Sequence, residues 1–113
     1  MLVDDEYWIR KGIAEGINWN ALGFEVCATA SNGEEALSLM ENDIPDVLLT
    51  DIKMPVMDGI ELIRNVAMKY PSVKTVILSG YNDFAYAQKA IEYGTYAYIL
   101  KPIKDEEFNL LFS

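Results

Sequence analysis

The chain has 113 residues, 51% hydrophobic and 12% aromatic, which is enough for one packed domain and short for two. Its 18 acidic and 9 basic residues give a net charge of −9. That charge argues against direct binding to nucleic acid, because phosphate contacts need clustered lysine and arginine. Histidine is absent from the sequence, which excludes a Ser-His triad, a histidine-ligated zinc site and a histidine general base.

The single cysteine, Cys27, lies in an apolar, strand-like run and has no second cysteine to pair with. We therefore expect a buried free thiol and a reducing, cytoplasmic setting. We expect neither a membrane span nor a signal peptide, because the apolar runs are short, residues 4–6 are acidic and no apolar segment follows a basic start.

Five apolar runs are typical of buried strands, and each is followed by a helical pattern. The predicted strands cover residues 1–3, 24–29, 47–50, 73–78 and 96–100. Helices between parallel strands make right-handed crossovers, so they cover both faces of the sheet. The sequence therefore predicts a three-layer α/β/α domain, although the order of the strands does not follow from the pattern alone.

The first three helices are predicted from apolar periodicity and from their terminal residues. The first covers residues 6–17, and the second follows a cap at Ser31 or Asn32. The third is capped by Asp58 and ends before Pro71. Their expected buried faces are Ile9, Ile13 and Ile17; Ala36, Leu37 and Met40; and Ile60, Ile63 and Ala67.

The last two predicted helices cover residues 84–93 and 105–112. The final helix stops in mid-pattern at Ser113, and the three residues before Asp4 are fewer than a strand usually has. We therefore expect residues 1–113 to form a single domain excised from a longer protein, with a truncated first strand and last helix. The short first strand is also expected to lower stability, because it leaves neighbouring main-chain groups unpaired.

Acidic residues and a lysine lie where three of the predicted strands end. Asp4 and Asp5 follow the first strand, Asp51 the third and Lys101 the fifth. Ligands of open α/β sheets bind outside the carboxyl ends of the strands, so we expect these side chains to meet. Three carboxylates and one ammonium sum to −2, which a bound Mg²⁺ would neutralise. An acidic pair at a strand end can also simply cap the next helix, and it becomes informative only together with Asp51.

Residues 51–59 carry the most specific pattern in the chain. Their plain interpretation is a strand-to-helix loop punctuated by proline and glycine. Their functional interpretation is a nucleophilic aspartate, Asp51, followed by a loop whose main chain supplies a metal ligand, since aspartate is an established nucleophile for phosphoryl groups. Ser79 and Lys101 would then face a phosphorylated Asp51, although each alone is usually an ordinary polar loop residue. The Lys101–Pro102 bond can adopt the cis form, which would aim the lysine.

Taken together, these motifs resemble the receiver domain of two-component response regulators over essentially the whole chain. The motifs are Asp-Asp-Glu at 4–6, Asp-x-x-Met-Pro-x-Met-Asp-Gly at 51–59, Ser-Gly at 79–80 and Lys-Pro at 101–102, in the family's order. The runs at 79–84 and 87–91, and the loop with Trp19, Leu22 and Gly23, resemble a subgroup whose parent proteins carry an AraC-type helix-turn-helix output domain.

The resemblance implies a flavodoxin-like five-stranded parallel sheet with strand order 2-1-3-4-5. It implies that Asp51 accepts a phosphoryl group from a sensor histidine kinase in a reaction that needs Mg²⁺, for which Mn²⁺ can substitute. The metal ligands would be Asp5, Asp51 and the main-chain carbonyl of Lys53, with Asp4 acting through water.

The same resemblance assigns Ser79 and Lys101 to the phosphoryl oxygens, and Ser79 and Tyr98 to a conformational switch. The domain would be a signalling domain that promotes its own aspartyl phosphorylation and dephosphorylation, not an enzyme with a separate substrate. Its output would be transcriptional regulation in a bacterium, with DNA contacted only through an output domain absent from this chain. The face formed by helix 4, strand 5 and helix 5 is a candidate homodimer interface.

Three alternatives stay open. A phosphatase resembling the haloacid dehalogenases would also use a strand-end aspartate, a lysine and Mg²⁺, but it expects a second aspartate where this chain has Lys53. Its nucleophile also follows the first strand, whereas Asp51 follows the third. A receiver-like module that signals without phosphorylation is disfavoured by the complete set of acidic and lysine residues. A nucleotide-binding flavodoxin-type module is disfavoured because the first strand precedes no glycine-rich phosphate loop.

Overall fold

A computed structural model of the chain describes residues 1–80, 84–101, 106 and 109–110. Within these ranges one parallel sheet contains β1 (Leu2–Val3), β2 (Thr29–Ala30), β3 (Val47–Asp51), β4 (Lys74–Ser79) and β5 (Ala97–Leu100). The strands lie in the order β2-β1-β3-β4-β5, and every neighbouring pair is parallel. The order expected from the family resemblance is therefore confirmed, and β1 and β3 lie at the centre of the sheet.

The connections between strands are helical, as the sequence predicts. They contain α1 (Tyr7–Gly16), a 3₁₀ helix (Asn20–Leu22), α2 (Gly33–Met40), α3 (Gly59–Lys69) and α4 (Phe84–Glu92). None of these helices is both long and apolar enough to cross a bilayer. Most of the helix expected at 105–112 lies outside the described residues, although Glu106, Asn109 and Leu110 are helical. Pro102, with its expected cis bond, also lies outside them.

Side-chain caps fix where α2 and α3 begin. The Oδ1 atom of Asn32 accepts a hydrogen bond from the Glu35 amide at 2.8 Å, while the Ser31 hydroxyl donates to the Glu35 carboxylate at 2.8 Å. The Oδ1 atom of Asp58 accepts from the Glu61 amide at 2.8 Å. Each cap satisfies an amide that the helix leaves unpaired, which stabilises the fold by about 1 kcal/mol.

Apolar side chains pack on both faces of the sheet, because neighbouring residues of a strand point to opposite faces. On one face, Val3 and Leu48 pack with residues from α2 and α3, such as Met40 and Leu62. On the other, Leu2, Leu49, Val76 and Leu78 pack with Ile13 and Ala14 of α1. A third cluster joins Ile77 of β4 to Ile63 of α3 and Ala90 of α4. The predicted three-layer α/β/α architecture is thereby confirmed.

The second strand is shorter than predicted. We expected residues 24–29, but β2 contains only Thr29–Ala30, and residues 24–28 have no regular secondary structure. The reason is the length of β1, which offers only Leu2–Val3 as a parallel partner. Cys27 lies in this irregular stretch and is exposed, so the expectation of a buried thiol is wrong.

The buried face of α3 also differs from the prediction. Ala67 is exposed, whereas Leu62, Ile63 and Val66 are fully buried and Ile60 is half-buried. The helix sits between two apolar clusters, so its buried stripe is wider than the pattern suggested and is rotated away from Ala67. Helix α4 ends at Glu92, one residue before the predicted end, and Gly94 adopts the expected left-handed φ of 87° two residues later.

Helix α3 begins against the end of β3. The Gly59 amide donates to the Ile52 carbonyl oxygen at 2.7 Å. A Cβ atom at residue 59 would overlap the main-chain oxygen of Asp51 and lie 3.0 Å from the Cα of Ile52. Because both neighbours are backbone atoms that cannot turn aside, only glycine allows α3 to start this close to Asp51.

Gly59→Ala should lower the free energy of unfolding by about 1–3 kcal/mol, the usual cost of forcing extra volume into a packed site. Gly12→Ala is the matched control, because Gly12 lies inside α1 with open space around its Cα. Removing that helical glycine should stabilise the protein by about 0.5–1 kcal/mol. Urea unfolding measures both changes. An alanine at 59 that leaves stability unchanged would contradict the steric argument.

Candidate functional site

The carboxyl ends of the central strands place polar side chains at one edge of the sheet. Asp4 directly follows β1, Asp51 ends β3, Ser79 ends β4 and Lys101 directly follows β5. The Lys101 amide donates to the Ser79 carbonyl oxygen at 2.9 Å, which keeps the ends of β4 and β5 side by side. The topology therefore assembles the site from residues far apart in the sequence.

Three aspartates form a cluster at this edge. Asp4, Asp5 and Asp51 each offer a carboxylate oxygen, and these oxygens lie within 4.8 Å of one another. Asp4 is completely buried and Asp51 is 8% exposed, whereas Asp5 is exposed. Like charges this close repel by a few kcal/mol even when partly screened, about 4 kcal/mol at 4 Å and an effective dielectric of 20. The cluster therefore needs compensating positive charge.

Lys101 supplies part of that charge. Its ammonium Nζ lies 3.4 Å from Asp4 Oδ2 and 3.3 Å from Asp51 Oδ2, so it bridges two of the three carboxylates. Burial by itself lowers the pKa of Lys101, but the carboxylates of Asp51 and Asp4 outweigh it and raise that pKa above its ordinary value. The lysine is therefore held in its charged form.

The charged form of the Asp51 carboxyl remains disfavoured despite this lysine. Burial raises its pKa above the ordinary value, and the nearby charge of Asp4 raises it further. Lys101 and a hydrogen bond from the Ile52 amide act in the opposite direction but do not cancel the rise. The ammonium of Lys101 thus does not fully offset the burial of Asp51 and the neighbouring charge of Asp4.

A hard divalent cation fits the donors that are present. The cluster is made of carboxylate oxygens, it carries a net charge of −2 with Lys101 included, and its Asp5 is open to solvent. Oxygen ligands and an open side on which the ion keeps several waters are what Mg²⁺ prefers. Lys53, the expected main-chain ligand, lies two residues after Asp51 in the same loop, with its side chain exposed.

Neighbouring groups fix the orientation of the Asp51 side chain. Its Oδ1 atom accepts a hydrogen bond from the Ile52 amide at 2.8 Å, which leaves Oδ2 facing Lys101. Its main-chain oxygen accepts from the buried Thr50 hydroxyl at 2.9 Å. The carboxylate therefore presents one oxygen, Oδ2, to the side where the positive charge lies.

Two further expected site residues, Ser79 and Tyr98, form no hydrogen bond with the cluster among the described contacts. Ser79 is fully buried, and its hydroxyl donates to the Gly80 carbonyl oxygen at 2.9 Å rather than to Asp51. Tyr98 lies on β5 in register with Ile77 of β4, with 36% of its surface exposed. The structure thus brings Asp4, Asp5, Asp51 and Lys101 together and leaves the hydroxyl of Ser79 turned towards its own main chain.

Arg10 is a site residue that the sequence patterns do not reveal. Its Nη1 atom donates to the main-chain oxygen of Asp4 at 2.6 Å, so a second cation approaches the acidic segment from α1. The available signal was its position on the first helix, four residues after Glu6, which places a long side chain over the turn that precedes the helix. Sequence patterns cannot show whether such a side chain points back to the strand or into solvent.

The chain is similar in sequence to a known protein family over nearly its whole length. The response regulator receiver domain family matches residues 1–111. Among curated proteins, the uncharacterized transcriptional regulatory protein YesN of Bacillus subtilis (strain 168) is 42% identical over 107 residues, which are 95% of this chain and 29% of YesN. The chain spans less than half the length of the curated relatives it matches.

Solved structures show the same fold at similar identity. The receiver domain of AraT, a response regulator from Geobacillus stearothermophilus, superimposes with a TM-score of 0.88 at 41% identity, covering 97% of this chain and 85% of that one. A two-component transcriptional regulator AraC from Clostridium phytofermentans gives a TM-score of 0.83 at 41% identity, covering 95% and 83%. The resemblance predicted from the motifs is therefore confirmed, and the chain belongs to the response regulator receiver domain family.

Proposed function

We propose that Asp51 accepts a phosphoryl group from the phosphohistidine of a sensor histidine kinase, in a reaction that requires Mg²⁺ or Mn²⁺. The observation that carries the proposal is the Asp51 carboxylate itself, which is buried beside Asp4 with its Oδ2 atom 3.3 Å from the Lys101 ammonium. Membership of the receiver family supports the reaction class. The position of Asp51 at the end of β3 disfavours the phosphatase alternative, which needs its nucleophile after the first strand.

The residues suit an in-line attack that needs no general base. Asp51 reacts as a carboxylate through Oδ2, because Oδ1 is held by the Ile52 amide. A bond forms between Oδ2 and phosphorus while the bond from phosphorus to the donor imidazole nitrogen breaks, and that nitrogen keeps the electron pair. Lys101 balances charge on the transferring group, so positioning and electrostatics do most of the work.

The acidic residues divide the metal ligation between them. Asp5 is exposed and is proposed to contact the ion directly, together with Asp51 and the main-chain carbonyl of Lys53. Asp4 is proposed to act through water, because it is completely buried, whereas Asp51 and Asp5 both retain exposed surface. The bound ion would supply the positive charge that Lys101 alone does not.

Phosphorylation is proposed to change the surface through Ser79 and Tyr98. The product adds about −1.5 to −2 charge and strong acceptor oxygens beside Lys101. The Ser79 hydroxyl would leave the Gly80 carbonyl and donate to the phosphoryl group, and the half-exposed Tyr98 would turn inward. Phosphorylation would shift the equilibrium between two conformations that share the same fold. The α4–β5 side of the sheet, together with the helix expected at 105–112, is the proposed output and homodimer face.

The output is proposed to be transcriptional regulation, since the relatives found include proteins described as transcriptional regulators. DNA contact would belong to an output domain outside residues 1–113, which we propose form one receiver domain of a longer protein. We propose a cytoplasmic location, where the unpaired Cys27 stays reduced. In this role the domain promotes its own phosphorylation and dephosphorylation and acts on no separate substrate.

Acetyl phosphate with Mg²⁺ should label the wild-type chain once and should leave Asp51→Asn unlabelled, because the amide is not a nucleophile for phosphorus. Intact mass spectrometry measures the added phosphoryl group. Asp58→Asn is the matched control: it makes the same chemical change in the same loop, and asparagine caps a helix as well as aspartate does. Single-site labelling of Asp51→Asn would assign the reaction to another residue.

Mg²⁺ should stabilise the wild-type fold and have little effect on Asp5→Asn or Asp51→Asn, because both variants lose a carboxylate of the cluster. A ligand that binds only the folded state adds about 2.7 kcal/mol at a concentration one hundred times its dissociation constant. Thermal unfolding across a Mg²⁺ series measures this gain. Equal gains in the wild type and both variants would place the ion elsewhere.

Without metal, Asp51→Asn should be more stable than the wild type at neutral pH. The folded protein raises the Asp51 pKa above its ordinary value of 3.8, so folding favours the neutral carboxyl. That contribution to stability is fully present below pH 3.8 and is lost as the pH rises through the raised pKa. The gap between variant and wild type should therefore open with rising pH, as measured by urea unfolding in EDTA. If the wild type became more stable relative to Asp51→Asn as the pH rises, the direction of the Asp51 pKa shift would be wrong.

A further inference from the structure

Arg10 ties α1 to the end of β1. Its Nη1 atom donates to the main-chain oxygen of Asp4 at 2.6 Å, and its own amide donates to the Glu6 carbonyl at 2.9 Å. Its guanidinium also lies against the Tyr7 ring, 5.7 Å from the ring centroid. The Arg10 side chain therefore spans the turn that contains the acidic pair. The hydrogen bond of its amide and the contact with the Tyr7 ring limit the directions that the guanidinium can take.

The main-chain oxygen of Asp4 needs this partner. The strand ends at Val3, and the last ladder bond on this side runs from the Asp4 amide to the Ala30 carbonyl oxygen at 3.1 Å. Asp4 itself is completely buried, so water does not reach the residue freely. A buried carbonyl without a hydrogen bond costs about 1–3 kcal/mol, and a charged guanidinium gives one of the stronger bonds available.

The bond to Arg10 also sets the direction of Asp5. The peptide unit between Asp4 and Asp5 is planar, so fixing the Asp4 oxygen fixes the Asp5 amide and the bond that leads to its Cα. Within the part of the chain that the structure describes, the Asp5 carboxylate has no hydrogen-bond or ion-pair partner of its own. Its place beside Asp4 and Asp51 therefore depends on its backbone.

We propose that Arg10 is a positioning residue for the acidic cluster, which holds the Asp4–Asp5 peptide so that the Asp5 carboxylate is ready to bind Mg²⁺. This rests on the part of the proposed function that places Mg²⁺ at the cluster. This positioning role and the positive charge of Arg10 predict opposite effects on Mg²⁺ binding. A cation near the site repels Mg²⁺, so a purely electrostatic role predicts tighter binding when Arg10 is removed, whereas positioning predicts weaker binding.

The test compares Arg10→Met, Arg10→Lys and Arg64→Met in the 113-residue chain. Arg64 is the matched control, because it is exposed and, among the residues that the structure describes, pairs with Glu61 at 3.7 Å and not with the acidic cluster. Isothermal titration calorimetry with Mg²⁺ alone, without a phosphoryl donor, should show binding weakened by about tenfold in Arg10→Met, the lower end of the range for groups that orient metal ligands. Arg64→Met should keep wild-type affinity, and Arg10→Lys, which retains a donor and a charge, should fall between.

A second measurement covers the metal-free protein. Amide NMR spectra of Arg10→Lys, which keeps the charge and is the variant least disturbing to the fold, should show the Asp5 and Glu6 resonances shifted and the β3 and β4 amides in place. Wild-type Mg²⁺ affinity in Arg10→Met, tighter binding, or unmoved Asp5 and Glu6 amides in Arg10→Lys would overturn the positioning role. A wild-type chain that binds no Mg²⁺ would instead overturn the proposed function, while the NMR comparison would still decide whether Arg10 holds the turn.

Discussion

The repulsion among the buried carboxylates at the ends of β1 and β3 is the constraint on which the rest of the site depends. Asp4 and Asp51 belong to neighbouring central strands, so the sheet itself forces them together. Lys101 reaches both from the end of β5 and keeps its own charge, yet burial and Asp4 still raise the Asp51 pKa. The fold thus carries an electrostatic cost at this edge that a bound cation would lower.

Backbone contacts make that arrangement possible. Gly59 allows α3 to begin against the Asp51 main chain, and the Ile52 amide then holds one oxygen of the carboxylate. On the other side of β1, the Asp4 main-chain oxygen is held by Arg10 and its carboxylate by the Glu6 amide. Short connections between rigid elements, together with the Arg10 side chain, therefore define where the charges lie.

The architecture could be predicted from the sequence because its signals are local. Apolar runs separated by periodic segments specify parallel strands and crossover helices, and Asn32, Asp58 and Gly94 mark helix ends at positions that the structure keeps. The strand order needed the family resemblance, since pairing is a long-range property. The short β2 was missed because its extent depends on how much of β1 is present to pair with it, which the 24–29 pattern does not reveal.

For the site, the residue types and strand ends predicted which side chains meet, whereas the sequence could not predict their hydrogen bonds. The link from Arg10 to the Asp4 carbonyl joins a helix side chain to a main-chain atom, and neither partner is unusual in a sequence. The direction of the Ser79 hydroxyl is a rotamer choice made after folding, so no pattern encodes it.

The exposed position of Cys27 has a practical consequence. It is the chain's one thiol, and it lies just before β2, at the end of the sheet opposite to the carboxylates. A maleimide dye or a nitroxide spin label attached there would occupy a known point without touching the acidic edge. Distances from that point to a label on a binding partner would then report the geometry of the complex in solution.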